Sequence, residues 1–290
     1  MSVAALRADM LAALAWQAEL GADEAIAETP VDRFALEGAQ QSAQQLARTA
    51  QRPAPTRPAA PALRAIPSAQ PDAAQPDAVR AAREIAAGCR DLASLGAALA
   101  AFDGCPLKQG ARNCVFADGD PAARVMIVGE APGRDEDIAG KPFVGRSGHL
   151  LDRMLAAIGL DRRATDPARG VYITNILPWR PVENRAPSAD ETAMLTPFVA
   201  RHIALADPEF VLVMGATAAR ALLQTPEGIL KLRGRWRRAV AGGEAEDAGR
   251  LCLPTLHPAY LLRNPAAKRL AWRDLLSLRA ALDGEPPQAE

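Results

Sequence analysis

The stretch from Arg124 to Leu155 limits the fold of this chain more than any other part of the sequence. It opens with the apolar run 125–128, which is typical of a strand buried on both faces. The glycines and proline of 129–133 then form a turn that neither a strand nor a helix can continue. Apolar residues at helical spacing follow over 147–158. A strand, a turn and a helix in this order predict one βα unit.

Further βα units follow along the chain. Strands are predicted at 171–174, 210–214 and 251–256, and helices at 188–206, 216–223 and 265–281. The pattern Ser188-x-x-Glu191 is a capping box that marks the start of the first of these helices. Repeated βα units place their strands in parallel, with helices on both faces. We therefore predict a three-layer α/β/α fold with a central, mostly parallel four-stranded sheet.

The predicted folded domain occupies only part of the 290 residues. Residues 1–38 have the pattern of a helical segment. Residues 39–77 are rich in Ala, Pro and Gln with few aliphatic residues, which predicts a disordered linker. The domain is expected over 78–283, followed by a short tail at 284–290.

Composition excludes some classes of protein. The chain is 49% hydrophobic, enough for a sizeable core, and its 34 basic and 34 acidic residues cancel. Such a balance does not by itself indicate nucleic acid, although a local basic rim is sufficient for DNA. Four widely spaced cysteines give no disulfide framework. No signal peptide and no apolar run of about 18 residues is present, so we expect a cytoplasmic protein without a membrane partner.

Polar residues follow several of the predicted strands. Parallel strands bring their carboxyl ends to one edge of the sheet, so this edge should carry Glu130, Asn175, Gly215 and His257. Phe143 lies in a stiff loop that should hang over them. The sequence therefore predicts a ligand site at this edge.

Four motifs in this order carry a family resemblance: GEAPGRDED at 129–137, KPFVGRSG at 141–148, VYITN at 171–175 and LPTLHPAYLLRNP at 253–265. Together they resemble the uracil-DNA glycosylase superfamily, closest to its family-four type, over about residues 89–283. The resemblance implies a monomeric DNA repair enzyme. It would hydrolyse the N-glycosidic bond of uracil in single- or double-stranded DNA and leave an abasic site.

The resemblance also assigns the base pocket. A base must leave the duplex to be reached, and Phe143 would stack on it. The Asn175 carboxamide can satisfy both the O4 acceptor and the N3–H donor of uracil. Ala131 would lie at the base, and Glu136 would exclude the methyl group of thymine. A core role for Phe143, a turn-capping role for Asn175 and a solvated position for Glu136 are the structural alternatives.

Bond cleavage places positive charge on the sugar and negative charge on uracil O2. Glu130 and His257 match the family residues that stabilise these charges. Other branches of the superfamily have an Asp where Ala131 stands. Either Glu130 or a water held by backbone groups must therefore take that role.

DNA contacts are expected from a further set of residues: Ser147, Leu261, Leu262, Arg263 and Arg235. The segment 257–263 resembles a DNA-probing loop in which an apolar side chain fills the gap left by the flipped base. The basic stretch 231–238 would contact the phosphate backbone.

Usual members of the family-four type carry a [4Fe–4S] cluster, which needs four thiolates. In this chain only Cys105 stands at a ligand position. Phe102, Trp179 and Leu195 stand at the other three. We therefore predict no iron–sulfur cluster and no metal, with these side chains packed in the core instead.

Two other functions remain open at this point. The enzyme could act mainly on a different deaminated base, or the pocket could bind uracil or a nucleotide without turnover. A general nucleotide-binding loop is disfavoured because 129–133 lacks both the G-x-G-x-x-G and the Walker lysine patterns. Release of free base from uracil-containing DNA separates these possibilities.

Overall fold

A computed structural model describes residues 76–239 and 250–287. The helical segment predicted at 1–38 lies outside the described residues, as does the predicted linker up to residue 75. The first described helix begins at Pro76, two residues before the predicted start of the domain.

The described residues form ten α-helices, two 3₁₀ turns and six strands. The strands are β1 Asp118–Gly119, β2 Val125–Gly129, β3 Val171–Asn175, β4 Phe210–Met214, β5 Arg237–Arg238 and β6 Leu251–Thr255. The helices up to the middle of the chain are α1 Pro76–Gly88, α2 Leu92–Ala101, α3 Leu107–Gly110, α4 Arg134–Ala139 and α5 Arg146–Ala156. The later ones are α6 Ala189–Ala206, α7 Ala216–Leu223, α8 Ile229–Leu232, α9 Pro258–Arg263 and α10 Lys268–Leu282. The 3₁₀ turns are Val182–Asn184 and Pro265–Ala267.

The six strands form one sheet in the order β1-β3-β2-β4-β6-β5. The four inner strands are mutually parallel, which confirms the predicted central sheet. The two outer strands pair antiparallel and contain only two residues each. Such short edge strands were not predicted because two residues are too few to show an alternating pattern.

Helices cover both faces of the sheet, as expected for three layers. Met126 and Val128 of β2 point into a core shared with α1, α2, α6 and α7. Val125 and Ile127 point into the opposite core, shared with α5 and α10. Successive residues of a strand face opposite sides, so an uninterrupted apolar strand serves both cores.

The capping box at the start of α6 forms as predicted. The backbone N–H of Glu191 donates to Ser188 Oγ at 3.0 Å, and Ser188 N–H donates to Glu191 Oε2 at 2.8 Å. Arg185 adds a bidentate ion pair to the same carboxylate. The loop that follows β3 is therefore anchored where α6 begins.

Two segments predicted as loops contain short helices. The acidic segment after β2 forms α4, whose first turn is capped by the Glu136 carboxylate on the N–H of Gly133 at 3.1 Å. The segment after His257 forms α9, with Pro258 in its first turn. Proline suits this place because it has no N–H to leave unsatisfied.

A buried carboxylate joins α10 to the sheet and to the end of α8. Asp274 is 1% exposed, pairs with Arg233 and accepts a hydrogen bond from Thr255 Oγ1 at 2.7 Å. Burial raises the pKa of Asp274, and its hydrogen bonds with Thr255 and Arg233 oppose that rise. Among the described residues, no helix is long and apolar enough to cross a membrane.

Candidate active site

The candidate site forms where β2 and β3 end side by side. Gly129 and Asn175 are register partners in the parallel pair. The pairing continues past the strands, since Ile176 N–H donates to the carbonyl of Gly129 and Leu177 N–H to that of Glu130, both at 3.0 Å. These bonds fix Glu130 and Asn175 as neighbours at the carboxyl edge of the sheet.

The ring of Phe143 packs directly against Gly129. A Cβ atom at Gly129 would lie 2.6 Å from this ring and would overlap Asn175 Oδ1. Only glycine therefore allows both side chains to approach the strand end. The Phe143 ring centroid lies 5.4 Å from that of His257. Phe143 thus lies next to Asn175 at the ends of β2 and β3, and its ring is close to that of His257.

Asn175 carries an unpaired acceptor. The residue is 4% exposed, and its Oδ1 atom is buried without a hydrogen-bond partner among the described residues. Leaving a buried amide oxygen unpaired costs about 1–3 kcal/mol, so most such atoms are paired. A ligand that brings an N–H donor would recover this free energy.

Glu136 holds the loop that carries Phe143. Besides capping Gly133, its carboxylate accepts the backbone N–H groups of Val144 at 3.2 Å and Gly145 at 3.0 Å. Phe143 has a φ of +53°, a conformation that is uncommon for a residue other than glycine. The carboxylate therefore supports an unfavourable loop conformation, a role that the sequence did not indicate.

Hydrogen bonds from Arg162 hold the Phe143 loop on its other side. The guanidinium of Arg162 donates to the carbonyl of Pro142 at 3.1 Å and to Asp152 of α5 at 2.7 Å. The loop also crosses α5 closely, since a Cβ atom at Gly148 would overlap the Phe143 carbonyl. The position of the aromatic ring is thus set by contacts on both sides of its loop.

His257 has a defined tautomer. Its Nδ1 atom accepts the backbone N–H of Ala259 at 3.2 Å in the cap of α9. Burial, together with the positive charge of Arg263, lowers the pKa of His257 to about 4. The imidazole is therefore neutral at pH 7 and carries its proton on Nε2, where it can donate a hydrogen bond.

Glu130 is held by a residue that the sequence reasoning missed. Thr217, in the first turn of α7, donates its hydroxyl to Glu130 Oε2 at 2.6 Å. Thr217 follows β4 by three residues. Thr217 lies only two residues beyond Gly215, so the convergence of polar groups at strand ends also predicts it when the first turn of the following helix is included.

The predicted DNA contacts differ in exposure. Leu261 is 1% exposed and packs with Leu150, Leu256 and Ala271, so it lies in the core and has no free side chain for a base stack. Leu262 and Ser147 are partly buried, whereas Arg263 and Arg235 are exposed.

Part of the basic stretch 231–238 is structural. Arg233 pairs with buried Asp274, and Arg237 lies 3.5 Å from Glu227. Trp236 is 4% exposed and donates its Nε1–H to Ser277 at 2.9 Å. These three residues bind the segment to the domain, and Lys231, Arg235 and Arg238 are its exposed members.

The residues at the four iron–sulfur ligand positions lie in one apolar core. Phe102, Cys105, Trp179 and Leu195 are each at most 6% exposed and belong to the same cluster of buried side chains. The Phe102 ring packs on Phe198 with centroids 5.3 Å apart. One thiol among three large apolar side chains does not fit a four-thiolate cluster. No group of three metal-binding side chains is found in the described part of the chain.

A family model and several curated relatives agree on one family. The family described as "Uracil DNA glycosylase superfamily" matches residues 116–276. The chain is 35% identical over 190 residues to the Type-4 uracil-DNA glycosylase of Pyrobaculum aerophilum, covering 64% of this chain and 91% of that protein. It is 35% identical to the Type-4 enzyme of Saccharolobus solfataricus, with 63% and 82% covered. For that of Thermotoga maritima the identity is 33%, with 62% and 89% covered.

The chain therefore belongs to the uracil DNA glycosylase superfamily. Within it, the three relatives place the chain with the family-four type.

The protonation of His257 can be tested directly. The ring should remain neutral, with its proton on Nε2, from pH 7.5 down to about pH 5, because the pKa is lowered to about 4. Two-dimensional ¹⁵N–¹H spectra that report the tautomer and charge of each histidine, assigned with His257→Asn, would measure this. An imidazolium ion at pH 6 would contradict it.

Lowered histidine pKa values also make the free energy of unfolding depend on pH. An unfolded chain protonates its histidines near pH 6.5, whereas native His257 and buried His202 both have a pKa of about 4. Between these values the unfolded state binds more protons, so these two groups make the free energy of unfolding fall as the pH drops from 6.5 to 4.

Proposed function

We propose that this protein excises uracil from DNA by hydrolysing the N-glycosidic bond and leaving an abasic site. The observation that carries the proposal is the buried, unpaired Oδ1 of Asn175 beside the Phe143 ring, with Glu130 and His257 at the same strand ends. The printed names of the relatives, Type-4 uracil-DNA glycosylase, support the same activity.

Base recognition follows from the Asn175 amide. Its free Oδ1 would accept the N3–H of uracil, and its amide N–H would donate to O4. Phe143 supplies an aromatic face for the flipped base, an interaction worth about 1–3 kcal/mol in single-strand binders. Cytosine presents an acceptor at N3 and a donor at N4, so it would leave buried polar groups unpaired.

Charge stabilisation is assigned to two side chains. A neutral His257 would donate its Nε2–H to uracil O2, where negative charge develops as the bond breaks. The Glu130 carboxylate would stabilise the positive charge on the sugar and orient the attacking water. Because the donor is fixed by the cap of α9, little reorganisation is needed during the reaction.

Glu130 is a better candidate than Glu136 for the carboxylate that stabilises the positive charge on the sugar. Ala131 has no charged group, and both oxygens of Glu136 already accept backbone N–H groups. We infer that Glu136 acts on base choice indirectly, by fixing the loop that carries Phe143. Ala131 would contribute a small side chain beside the base.

The partner is proposed to be uracil-containing DNA, single- or double-stranded, bound by a monomer in the cytoplasm. Of the predicted contacts, Leu262 is the residue able to fill the gap left by the base, since Leu261 is buried. Ser147, Arg263 and Arg235 would contact the backbone. Activity on another deaminated base is the alternative within the same pocket.

The residues at the iron–sulfur ligand positions lead to a prediction about the metal content of the protein. Because Phe102, Trp179 and Leu195 fill their places in the core, the purified protein should be colourless and contain no stoichiometric iron. Metal analysis and a visible absorption spectrum would measure this. Cys105→Ala is the matched control and should keep base excision. Stoichiometric iron that is lost in this variant would contradict the prediction.

The activity and the role of Asn175 are tested together. Wild-type protein should release free uracil from a uracil-containing oligonucleotide in a single-turnover assay. Asn175→Asp removes the donor that O4 needs and Asn175→Ala removes the whole amide, so both should lose most of this activity. A wild type that binds uracil-DNA without releasing base would favour a binding module. Unchanged rates in both variants would remove Asn175 from the site.

A further prediction concerns Thr217. A hydrogen bond to a charged group is worth about 1.5–3 kcal/mol, so Thr217→Val should lower the single-turnover rate by about 10- to 100-fold. Thr217→Ser keeps the hydroxyl and should retain most of the rate. Thr196→Val is a matched control, since its hydroxyl donates to a helix carbonyl.

A double-mutant cycle would distinguish loss of the hydrogen bond between Thr217 and Glu130 from general damage to the fold. In a Glu130→Gln background, Thr217→Val should cause little further loss, because the residues act as one unit. Additive losses would show that Thr217 acts elsewhere.

A further inference from the structure

The first two turns of α10 expose a basic and aromatic face. Lys268, Arg269 and Arg273 are exposed there, and Trp272 is 42% exposed between them. Leu276, one turn further on, is 47% exposed. A large exposed aromatic side chain among unpaired cations is a more informative feature than a scattered surface charge.

None of these three cations forms an ion pair with another described residue. Two other arginines near α10 are engaged, since Arg233 pairs with Asp274 and Arg279 with Asp283. Asp274 is the single acidic residue of α10, and it is buried. The exposed face therefore carries three positive charges without an acidic neighbour on the same helix.

This arrangement opposes the stability of the helix. Lys268 and Arg269 occupy its first turn, where the helix dipole disfavours positive charge. Arg269 and Arg273 are four residues apart, at which spacing like charges repel. An anionic partner would relieve both effects.

The face lies beside the segment proposed to probe DNA. A single 3₁₀ turn separates Arg263, the end of α9, from the start of α10. Leu261 of α9 and Ala271 of α10 pack in the same small core. The start of α10 therefore lies close to Leu262 and Arg263 along the chain.

We propose that this face of α10 binds the sugar–phosphate backbone of DNA flanking the flipped nucleotide, an inference that rests on the proposed function. From Lys268 to Arg273 the helix rises about 8 Å, which matches about two backbone steps of 3.4 Å each. The three cations neutralise phosphates, and Trp272 packs against a nucleotide between them.

The test is the salt dependence of binding. Each phosphate neutralised adds about 0.7–0.9 to the slope of log Kd against log salt. The variant Lys268→Gln/Arg269→Gln/Arg273→Gln should therefore lower this slope by about 2 to 3. The loss should fall on Kd for a uracil-containing oligonucleotide and on KM, and not on the single-turnover rate at saturating DNA.

A matched control tests general charge effects. Arg83→Gln/Arg90→Gln/Arg220→Gln removes the same charge from exposed positions on α1, α7 and the turn after α1. Helices α1 and α7 cover the opposite face of the sheet. The salt slope of this variant should stay within about 0.5 of the wild type.

Trp272 is tested separately because stacking of its uncharged ring on a nucleotide should not change the salt dependence of binding. Trp272→Ala should weaken binding about tenfold, which corresponds to about 1.4 kcal/mol, with the salt slope unchanged. Trp272→Phe keeps an aromatic face and should restore most of the affinity. Circular dichroism and the thermal midpoint would show that each variant is folded.

Three outcomes would overturn the inference. They are an unchanged salt slope in the α10 variant, an equal loss in the control variant, or a change of oligomeric state in sedimentation with DNA affinity intact. The last would make this face a contact between copies of the chain. A wild type that releases no uracil would instead refute the proposed function.

Discussion

The site depends on the close approach of two side chains to the backbone of Gly129. The parallel register of β2 and β3 places Asn175 beside this glycine, and the missing side chain leaves room for the Phe143 ring. Any Cβ atom there would displace both groups. The strand pairing that builds the core thus also sets the geometry of the pocket, since the same backbone serves both.

Polar groups at this edge are arranged at a cost to stability. Asn175 Oδ1 is buried and unpaired, His257 is kept neutral, and Phe143 has a strained backbone. Two of them are held by contacts described above: the Glu136 carboxylate accepts three backbone N–H groups around the loop that carries Phe143, and the cap of α9 orients His257. Such preorganisation is what a site needs if donors and acceptors are to meet a ligand without rearrangement.

Charge is distributed locally although the chain is neutral overall. Two basic residues of the 231–238 stretch pair with acidic residues of the domain, Arg233 with buried Asp274 and Arg237 with Glu227. The exposed cations of α10 have no such partner among the described residues. A count of basic residues in the sequence does not separate these two groups, because pairing depends on which helix lies opposite.

The sequence by itself determined the parts of the structure that local patterns encode. Apolar runs placed the four inner strands, spacing placed the longer helices, and Ser188 with Glu191 marked the start of α6. The order of strands and motifs also predicted that Glu130, Phe143, Asn175 and His257 belong to one edge.

The tertiary structure alone decided what depends on contacts between distant residues. These features are the two edge strands, the burial of Leu261, the tautomer and pKa of His257, and the hydrogen bond from Thr217 to Glu130. The last joins residues 87 positions apart. The physical reason is that residue spacing determines which face of an element is apolar. The partner that this face or a polar side chain meets is set by the register and packing of the whole sheet.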